Sequence, residues 1–188
     1  MSVEESPANR GWTELMPYNL KTEDNKKLWD YLSETLPHEK TPLRGEGDIL
    51  RTGYTPYKLY ASRNATDKDH DVIAVNSVLE KLSGLSESPD PWCMFLGLIG
   101  PHDPYNVPGK YLDMYDIDDV KLPPSFSDKM HDKPAVYRRI REMRFDQLSE
   151  RETREGIRHY LAYCTYLDEL FGKVVNRLDS LGMTENTL

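Results

Sequence analysis

The sequence has few cysteines, no long apolar run and no excess of positive charge, and each deficit excludes a class of protein. Two cysteines in 188 residues cannot supply the disulfide framework that small secreted domains need. The longest apolar run, residues 92–99, falls far short of the roughly 20 residues that cross a bilayer, so no membrane span is predicted. A net charge of −8 disfavours a surface that tracks phosphates, so nucleic acid is not an expected partner.

The start of the chain and the setting of the cysteines predict a compartment. Residues 1–5 are acidic and polar, where a signal peptide needs a basic start followed by an apolar core. Cys93 and Cys164 each lie in an apolar pattern, which predicts buried free thiols. Both features favour a cytoplasmic location.

Residues 1–66 are predicted to be a loop-rich excursion within one domain that spans residues 1–188. Prolines interrupt the segment repeatedly, and Gly45 to Tyr60 is expected to be loop with a weak strand at 57–60. One brief amphipathic helix is predicted before Pro37, because proline disfavours helical geometry in the residue before it. Its apolar residues are Leu28, Trp29, Tyr31, Leu32 and Leu36.

Residues 67–188 show a stronger pattern of helix, strand, loop and helix. Apolar residues at helical spacing between Val72 and Leu82 predict a helix that stops at Gly84. Residues 92–99 are apolar at every position, which predicts a parallel strand buried on both faces. Ser149 and Glu152 form a capping box that opens a helix of roughly nine turns, ended by Gly182. The predicted buried stripe of that helix consists of Ile157, Tyr160, Leu161, Cys164, Leu167, Phe171, Val174, Val175, Leu178 and Leu181.

A strand buried on both faces needs hydrogen-bonded neighbours, because an unpaired buried N–H or C=O group costs roughly 1–3 kcal/mol. The sequence contains no second strand of comparable quality. Either residues 92–99 are a buried helical segment, or the chain is a piece of a larger α/β protein with an incomplete sheet. The length of eight residues favours a strand, and therefore the second interpretation.

His102 is the strongest candidate for a binding residue. It follows the predicted strand directly, and ligands bind beyond the carboxyl ends of strands in open α/β sheets. Pro101, Pro104 and Pro108 stiffen its loop. An imidazole held there can bind an anionic oxygen or give a proton to a leaving group.

Other polar clusters have simpler structural interpretations. Asp168 lies on the predicted apolar side of the long helix and is expected to cap a neighbouring loop. A solvated acidic loop is favoured over a calcium site for Asp113, Asp116, Asp118 and Asp119, because the calcium-loop template is not met. Mixed signs favour a solvated helical face for Arg138, Arg139, Arg141 and Arg144.

Two parts of the sequence resemble the sulfatase family of the alkaline-phosphatase-like superfamily. Residues 92–105, with Pro101-His102-Asp103-Pro104, resemble the strand and Pro-His-x-Pro loop of that family. Residues 160–188 are similar to the long helix that leads toward its Ser-Asp-His-Gly strand. The resemblance implies a partial alkaline-phosphatase-like α/β sandwich, with a buried parallel strand, flanking helices and an incomplete sheet.

The resemblance also implies a reaction, which is hydrolysis of sulfate esters by a formylglycine nucleophile beside a calcium ion. His102 matches the histidine that contacts the sulfate group, and Asp168 matches a structural position. The Cys/Ser-x-Pro-x-Arg precursor of formylglycine does not occur in the sequence. The resemblance therefore predicts a sulfate-contacting residue, no nucleophile or metal ligands, and a need for the remainder of the catalytic domain.

The expected substrate is a small sulfate ester or a sulfated glycan. A phosphodiester or phosphonate ester hydrolase of the same superfamily stays open, because the Pro-His-x-Pro loop alone does not separate sulfur from phosphorus chemistry. A non-enzymatic interaction module, with the long helix docked on a partner, also stays open.

Overall fold

The computed structural model describes residues 43–51 and 55–188. The helix predicted before Pro37 lies outside these residues. The described part is a mixed arrangement of helices and two small sheets, which confirms the predicted α/β class with an incomplete sheet. None of its helices is both long enough and apolar enough to cross a membrane.

The strands form two separate pairs. Strands β1 and β2 pair antiparallel, and strands β3 and β4 pair in parallel with Tyr60 opposite Tyr105. Their ranges are Asp48–Arg51 (β1), Thr55–Lys58 (β2), Tyr60–Arg63 (β3) and Tyr105–Pro108 (β4). The sequence predicted loop for most of 45–60 and for all of 100–108, so both predictions are wrong in part. Pro56 in β2 is typical of an edge strand, and it interrupts the residue pattern by which a strand is identified in a sequence.

Four α-helices accompany the strands. Their ranges are His70–Leu85 (α1), Gly109–Leu112 (α2), Ala135–Met143 (α3) and Glu150–Ser180 (α4). Single 3-10 turns occupy Ile117–Asp119, Pro124–Ser127, Phe145–Gln147 and Thr184–Asn186. The core forms where α1, β4 and α2 pack on α4, and its buried members are Val75, Val107, Tyr111, Leu112, Ala162, Tyr163, Tyr166 and Leu170.

Helix α1 forms where the apolar spacing predicts it. Asp69 is its N-cap and accepts the Asp71 N–H at 3.0 Å, which satisfies a donor that the first turn leaves open. The prediction that Gly84 stops the helix in a left-handed conformation is wrong. The helix runs through Gly84, and Ser86 closes the last turn with right-handed backbone angles and an N–H bond to the Leu82 carbonyl at 3.0 Å.

Helix α4 has the predicted ends but a different buried face. Ser149 and Glu152 form the capping box, and Gly182 follows the last turn at φ +67°. The buried residues are Glu152, Gly156, His159, Ala162, Tyr163, Tyr166 and Leu170. The predicted stripe lies on the neighbouring arc, where four members are between 36% and 57% exposed: Tyr160, Leu161, Phe171 and Val175. The helix is apolar over more than one face, so periodicity alone could not select the one that packs.

Residues 92–99 are extended, but among the described residues no strand pairs with them. Leu96 and Leu98 pack against the core, whereas Phe95 is 78% exposed and Ile99 is 54% exposed. Packed and exposed residues therefore alternate along the segment, as in a strand that is covered on one face only. The prediction of burial on both faces is wrong for the described part of the chain, because no layer lies over the second face.

A buried carboxylate joins the start of α4 to β1. Glu152 closes the capping box on the Ser149 N–H at 2.8 Å, and it also accepts a bidentate pair of bonds from Arg44 at 2.6 and 2.8 Å. The Gly47 N–H adds a further bond at 2.8 Å. Gly47 has φ +70°, and a Cβ there would lie 2.7 Å from the Tyr60 ring, so only glycine fits. One side chain thus fixes the helix start and the turn before β1.

We expect Glu152→Gln to lower the free energy of unfolding by about 2–3 kcal/mol, because it removes a cap and leaves Arg44 without its carboxylate. Arg44, with the Ser149 and Gly47 amides, holds the pKa of Glu152 far below its usual 4.5 despite burial. The stabilisation is therefore fully present above a pH of about 4.5, and it is lost as the pH falls through the lowered pKa of Glu152. Urea unfolding followed by circular dichroism measures both effects.

Glu150→Gln is the matched control, because Glu150 lies in the same turn but its side chain is 61% exposed and, among the described residues, pairs only with Arg154. Its loss is expected to stay below about 0.5 kcal/mol. Equal losses in the two variants would contradict the role assigned to Glu152.

Candidate functional site

His102 lies in a tight turn at the end of the extended segment. Its N–H donates to the Ile99 carbonyl at 3.1 Å, and the peptide bonds Gly100–Pro101 and Asp103–Pro104 are both cis. The side chain of His102 is 72% exposed. The imidazole therefore projects from the turn into solvent, as a binding residue at that position must.

The buried side chain of Asp71 fixes the backbone before this turn. Its Oδ1 accepts the Ile99 N–H at 2.7 Å, and its Oδ2 accepts the Gly100 N–H at 3.0 Å. Asp71 lies in the first turn of α1 and is 1% exposed. The carboxylate thus satisfies two backbone donors at the end of a segment that has no strand neighbour among the described residues.

Gly100 is packed too closely for any other residue. A Cβ there would lie 2.8 Å from Tyr163 Cε2 and 2.9 Å from both Asp71 Oδ2 and Leu167 Cδ1. The turn at Gly100 therefore packs against both α1 and α4. Contacts with these two helices fix the direction in which the His102 loop leaves the core.

Burial raises the pKa of the Asp71 carboxyl, but the hydrogen bonds from His70 and from the two backbone amides outweigh it. The net pKa is below the usual value. Asp71 is therefore ionised at neutral pH, and its stabilising effect is lost only as the pH falls through the depressed value.

Asp103 orients the imidazole and is itself held by β2. The Tyr57 hydroxyl donates to Asp103 Oδ2 at 2.5 Å. The Arg51 guanidinium lies 3.7 Å from the centre of the Tyr57 ring. Burial, together with the bond to Asp103, raises the pKa of Tyr57 well above its usual value, so the phenol stays neutral and keeps donating.

One ring nitrogen of His102 is already engaged. Nδ1 lies 2.5 Å from the Asp103 carbonyl oxygen, which can only accept, so Nδ1 carries the proton. Nε2 is then the atom available to a ligand. It donates when the ring is protonated and accepts when the ring is neutral.

A second buried network, which sequence reasoning missed, holds the strand after the loop. Arg63 on β3 bonds to the Asp69 carboxylate and donates to the Asn106 carbonyl at 3.0 Å. The Tyr166 hydroxyl donates to Asp69 at 3.0 Å. The network joins α1, β3, β4 and α4 through the N-cap of α1. Asn106 and Tyr166 are far from Arg63 and Asp69 in sequence, and only the N-cap position of Asp69 carries a local signal.

The other sequence candidates lie apart from the His102 loop or on the surface. The aspartates at 113, 116, 118 and 119 are exposed, as predicted for a solvated loop. Asp168 is also exposed, so its predicted burial is wrong; it lies on the solvent side of α4 because the buried face differs from the predicted one.

Both cysteines are free thiols as predicted, but Cys93 is exposed and Cys164 half-buried. Cys93 is exposed because it lies on the open face of residues 92–99.

Comparison with known proteins identifies the family that the sequence matches. The family model described as Sulfatase matches residues 9–188. A sulfatase of Formosa agariphila is 31% identical over 148 residues, which cover 76% of this chain and 28% of that protein. A choline-sulfatase of Rhizobium meliloti is 30% identical over 132 residues, which cover 66% of this chain and 26% of that protein. The chain spans about a quarter of the length of these two curated relatives.

We expect Asp71→Asn to free the backbone before His102, because an amide side chain offers one acceptor where the carboxylate offers two, and it carries no charge. Hydrogen exchange measures this directly at Ile99 and Gly100. Their amides should be protected in the parent chain and exchange at least tenfold faster in the variant, which corresponds to about 1.4 kcal/mol or more of lost protection.

Asp168→Asn is the control, since Asp168 is an exposed carboxylate on α4. It should leave both amides protected. Unchanged protection in Asp71→Asn would show that something other than the Asp71 carboxylate holds the turn.

Proposed function

Because the chain belongs to the sulfatase family, we propose that it is part of an enzyme that hydrolyses sulfate esters and that it supplies the histidine that contacts the sulfate group. The relatives include a choline-sulfatase and an ulvan-active sulfatase of Formosa agariphila, the latter 29% identical over 114 residues that cover 60% of this chain and 18% of that protein. A small sulfate ester or a sulfated glycan is the proposed substrate class.

The observation that carries this proposal is the exposed His102 imidazole on a backbone held by buried groups. Asp71 fixes the turn before His102, and Asp103 engages Nδ1. Nε2 is left free, and it donates a hydrogen bond to a sulfate oxygen when the ring is protonated. A donor that is held in place before the substrate arrives stabilises developing negative charge without reorganisation in the transition state.

The family implies a calcium ion and a formylglycine nucleophile; the described residues do not fit the ion, and the sequence does not fit the nucleophile. In residues 43–51 and 55–188, no three His, Cys, Asp or Glu side chains are grouped so that they could hold a metal ion. Neither Cys93 nor Cys164 lies in a Cys-x-Pro-x-Arg sequence, and no serine lies in the corresponding one. We therefore assign no nucleophile to this chain and no metal ligand to its described residues.

The open face of residues 92–99 supports a need for further sheet. Phe95 and Ile99 face outward there, and their backbone edges have no strand partner among the described residues. Apolar strands of α/β proteins are covered on both faces. We propose that the remainder of the catalytic domain pairs with this segment and covers its second face, so that the groups that this chain lacks are brought to His102.

We expect the 188-residue chain alone not to hydrolyse 4-nitrophenyl sulfate, because the missing groups supply most of the transition-state stabilisation. In a longer protein that contains these residues together with a Cys/Ser-x-Pro-x-Arg motif, His102→Ala should lower kcat/KM for a sulfate ester by about 100-fold, the scale of removing one such donor. Release of nitrophenolate measures both.

His131→Ala is the matched control, because His131 is an exposed histidine in a loop outside the site; it should keep the parent kcat/KM. Turnover by the purified 188-residue chain that disappears in His102→Ala would contradict the proposal. Hydrolysis of phosphate diesters in preference to sulfate esters would favour the phosphorus alternative.

A further inference from the structure

The Asp103 carboxylate lies beside the imidazole to which we assign the contact with sulfate. Its Oδ1 is 3.4 Å from His102 Nδ1, and the Asp103 side chain is 42% exposed. We propose that Asp103 is a specificity-determining residue, whose negative charge makes the His102 site favour esters with one negative charge over esters with two. The inference rests on the proposed function, since it takes His102 as the residue that meets the anionic group of the substrate.

The Asp103 charge is not balanced by another cation in the described part of the chain. Among these residues, His102 is the only basic side chain within ion-pair distance of the carboxylate. Arg51 contacts the face of the Tyr57 ring instead. The Asp71 carboxylate differs, because it is buried and accepts two backbone N–H groups. The charge of Asp103 therefore acts on whatever binds at the imidazole.

Strand β2 holds this charge in place. The Tyr57 hydroxyl donates to Asp103 Oδ2 at 2.5 Å, and Tyr57 lies opposite Ile49 where β2 pairs with β1. The Asp103 carbonyl oxygen is itself 2.5 Å from His102 Nδ1. The side chain and the backbone of Asp103 are thus both engaged, so the carboxylate stays beside the imidazole when an anion approaches.

A purely structural connection between the loop and β2 does not need the charge. An amide oxygen accepts a phenol O–H as a carboxylate oxygen does, so Asp103→Asn can keep the bond to Tyr57. A carboxylate beside an anion site weakens the binding of every anion. Such a repulsive group is useful where it weakens the wrong ligand more than the right one.

Sulfate and phosphate monoesters differ in the charge that this carboxylate would repel. A sulfate monoester carries one negative charge, whereas a phosphate monoester carries close to two above its second pKa of about 6. An oxyanion hydrogen-bonded to Nε2 would lie within about 8 Å of the carboxylate, which is one screening length at physiological salt.

Coulomb repulsion is proportional to the charge of the ligand. A repulsion that weakens a monoanion about threefold therefore weakens a dianion about tenfold, because the penalty in free energy doubles. Phosphate diesters also carry one negative charge, so Asp103 would not separate them from sulfate esters. The discrimination that we infer is against phosphate monoesters.

The test is an NMR titration of the 188-residue chain with methyl sulfate and with methyl phosphate at constant ionic strength. At about pH 7.5 methyl phosphate is mostly the dianion. The imidazole signals of His102 report binding, and their loss in His102→Gln assigns them. The measured quantity is the affinity for methyl phosphate divided by the affinity for methyl sulfate. A change in the protonation of the imidazole alters both affinities and cancels in this ratio.

We expect Asp103→Asn to raise the ratio about threefold, because the charge is lost and the acceptor for Tyr57 is kept. Asp103→Ser, which is also neutral, should give the same rise. The rise should become smaller as salt is added. Asp103→Glu keeps the charge and should stay close to the parent ratio.

Asp168→Asn is the matched control, because it removes an exposed carboxylate on α4 and should keep the parent ratio. An unchanged ratio in both neutral variants of Asp103, or an equal rise in Asp168→Asn, overturns the inference and leaves the anion-binding role of His102 intact. If His102 responds to neither anion, its role in the proposed function is contradicted, and this inference falls with it.

Discussion

The carboxylate of Asp71 holds the backbone of Ile99 and Gly100, and the position of the His102 loop depends on it. Residues 92–99 form an extended segment that ends at these contacts and has no strand partner among the described residues. In a complete sheet, neighbouring strands would fix such a segment along its whole length. Here one buried side chain on α1 fixes its end, and the packing of Gly100 against α4 leaves no room for the turn to shift.

Glu152 has a corresponding role in the first turn of α4. Both carboxylates lie in the first turn of a helix, both are almost fully buried, and both accept backbone N–H groups from a different segment. A carboxylate near a helix N-terminus is stabilised by the N–H groups there. The two helices thus carry the constraints that position the adjoining loops.

Local signals in the sequence predicted the elements that depend on neighbours along the chain. The capping box at Ser149, the left-handed Gly182 and the spacing from Val72 to Leu82 each involve a few adjacent residues, and the structure confirms the corresponding helices. The His102 loop was predicted from its place after an apolar extended segment. The structure shows the His102 side chain exposed at the end of the segment, while its role toward sulfate stays a prediction.

The features that sequence reasoning missed depend on partners distant in the chain. The buried face of α4 includes Tyr163, Tyr166 and His159, so a rule that favours aliphatic residues selects the wrong arc. The Tyr166 hydroxyl is satisfied by Asp69, which is distant in the sequence. The hairpin of β1 and β2 has a proline in one strand and only four residues in each. Cys93 was predicted to be buried because both faces of its segment are apolar, and it is exposed because only one face is covered by described residues.

The accessibility of Cys93 reports directly on that open face, because the further sheet that we propose to cover residues 92–99 in the complete protein would also cover this thiol. The measurement is the rate at which a maleimide labels Cys93 in the 188-residue chain and in a longer protein that contains it and hydrolyses sulfate esters. We expect rapid labelling of Cys93 in the 188-residue chain, faster than that of the half-buried Cys164, and strong protection of Cys93 in the longer protein. Equal labelling of Cys93 in the two proteins would contradict coverage of residues 92–99 by further sheet.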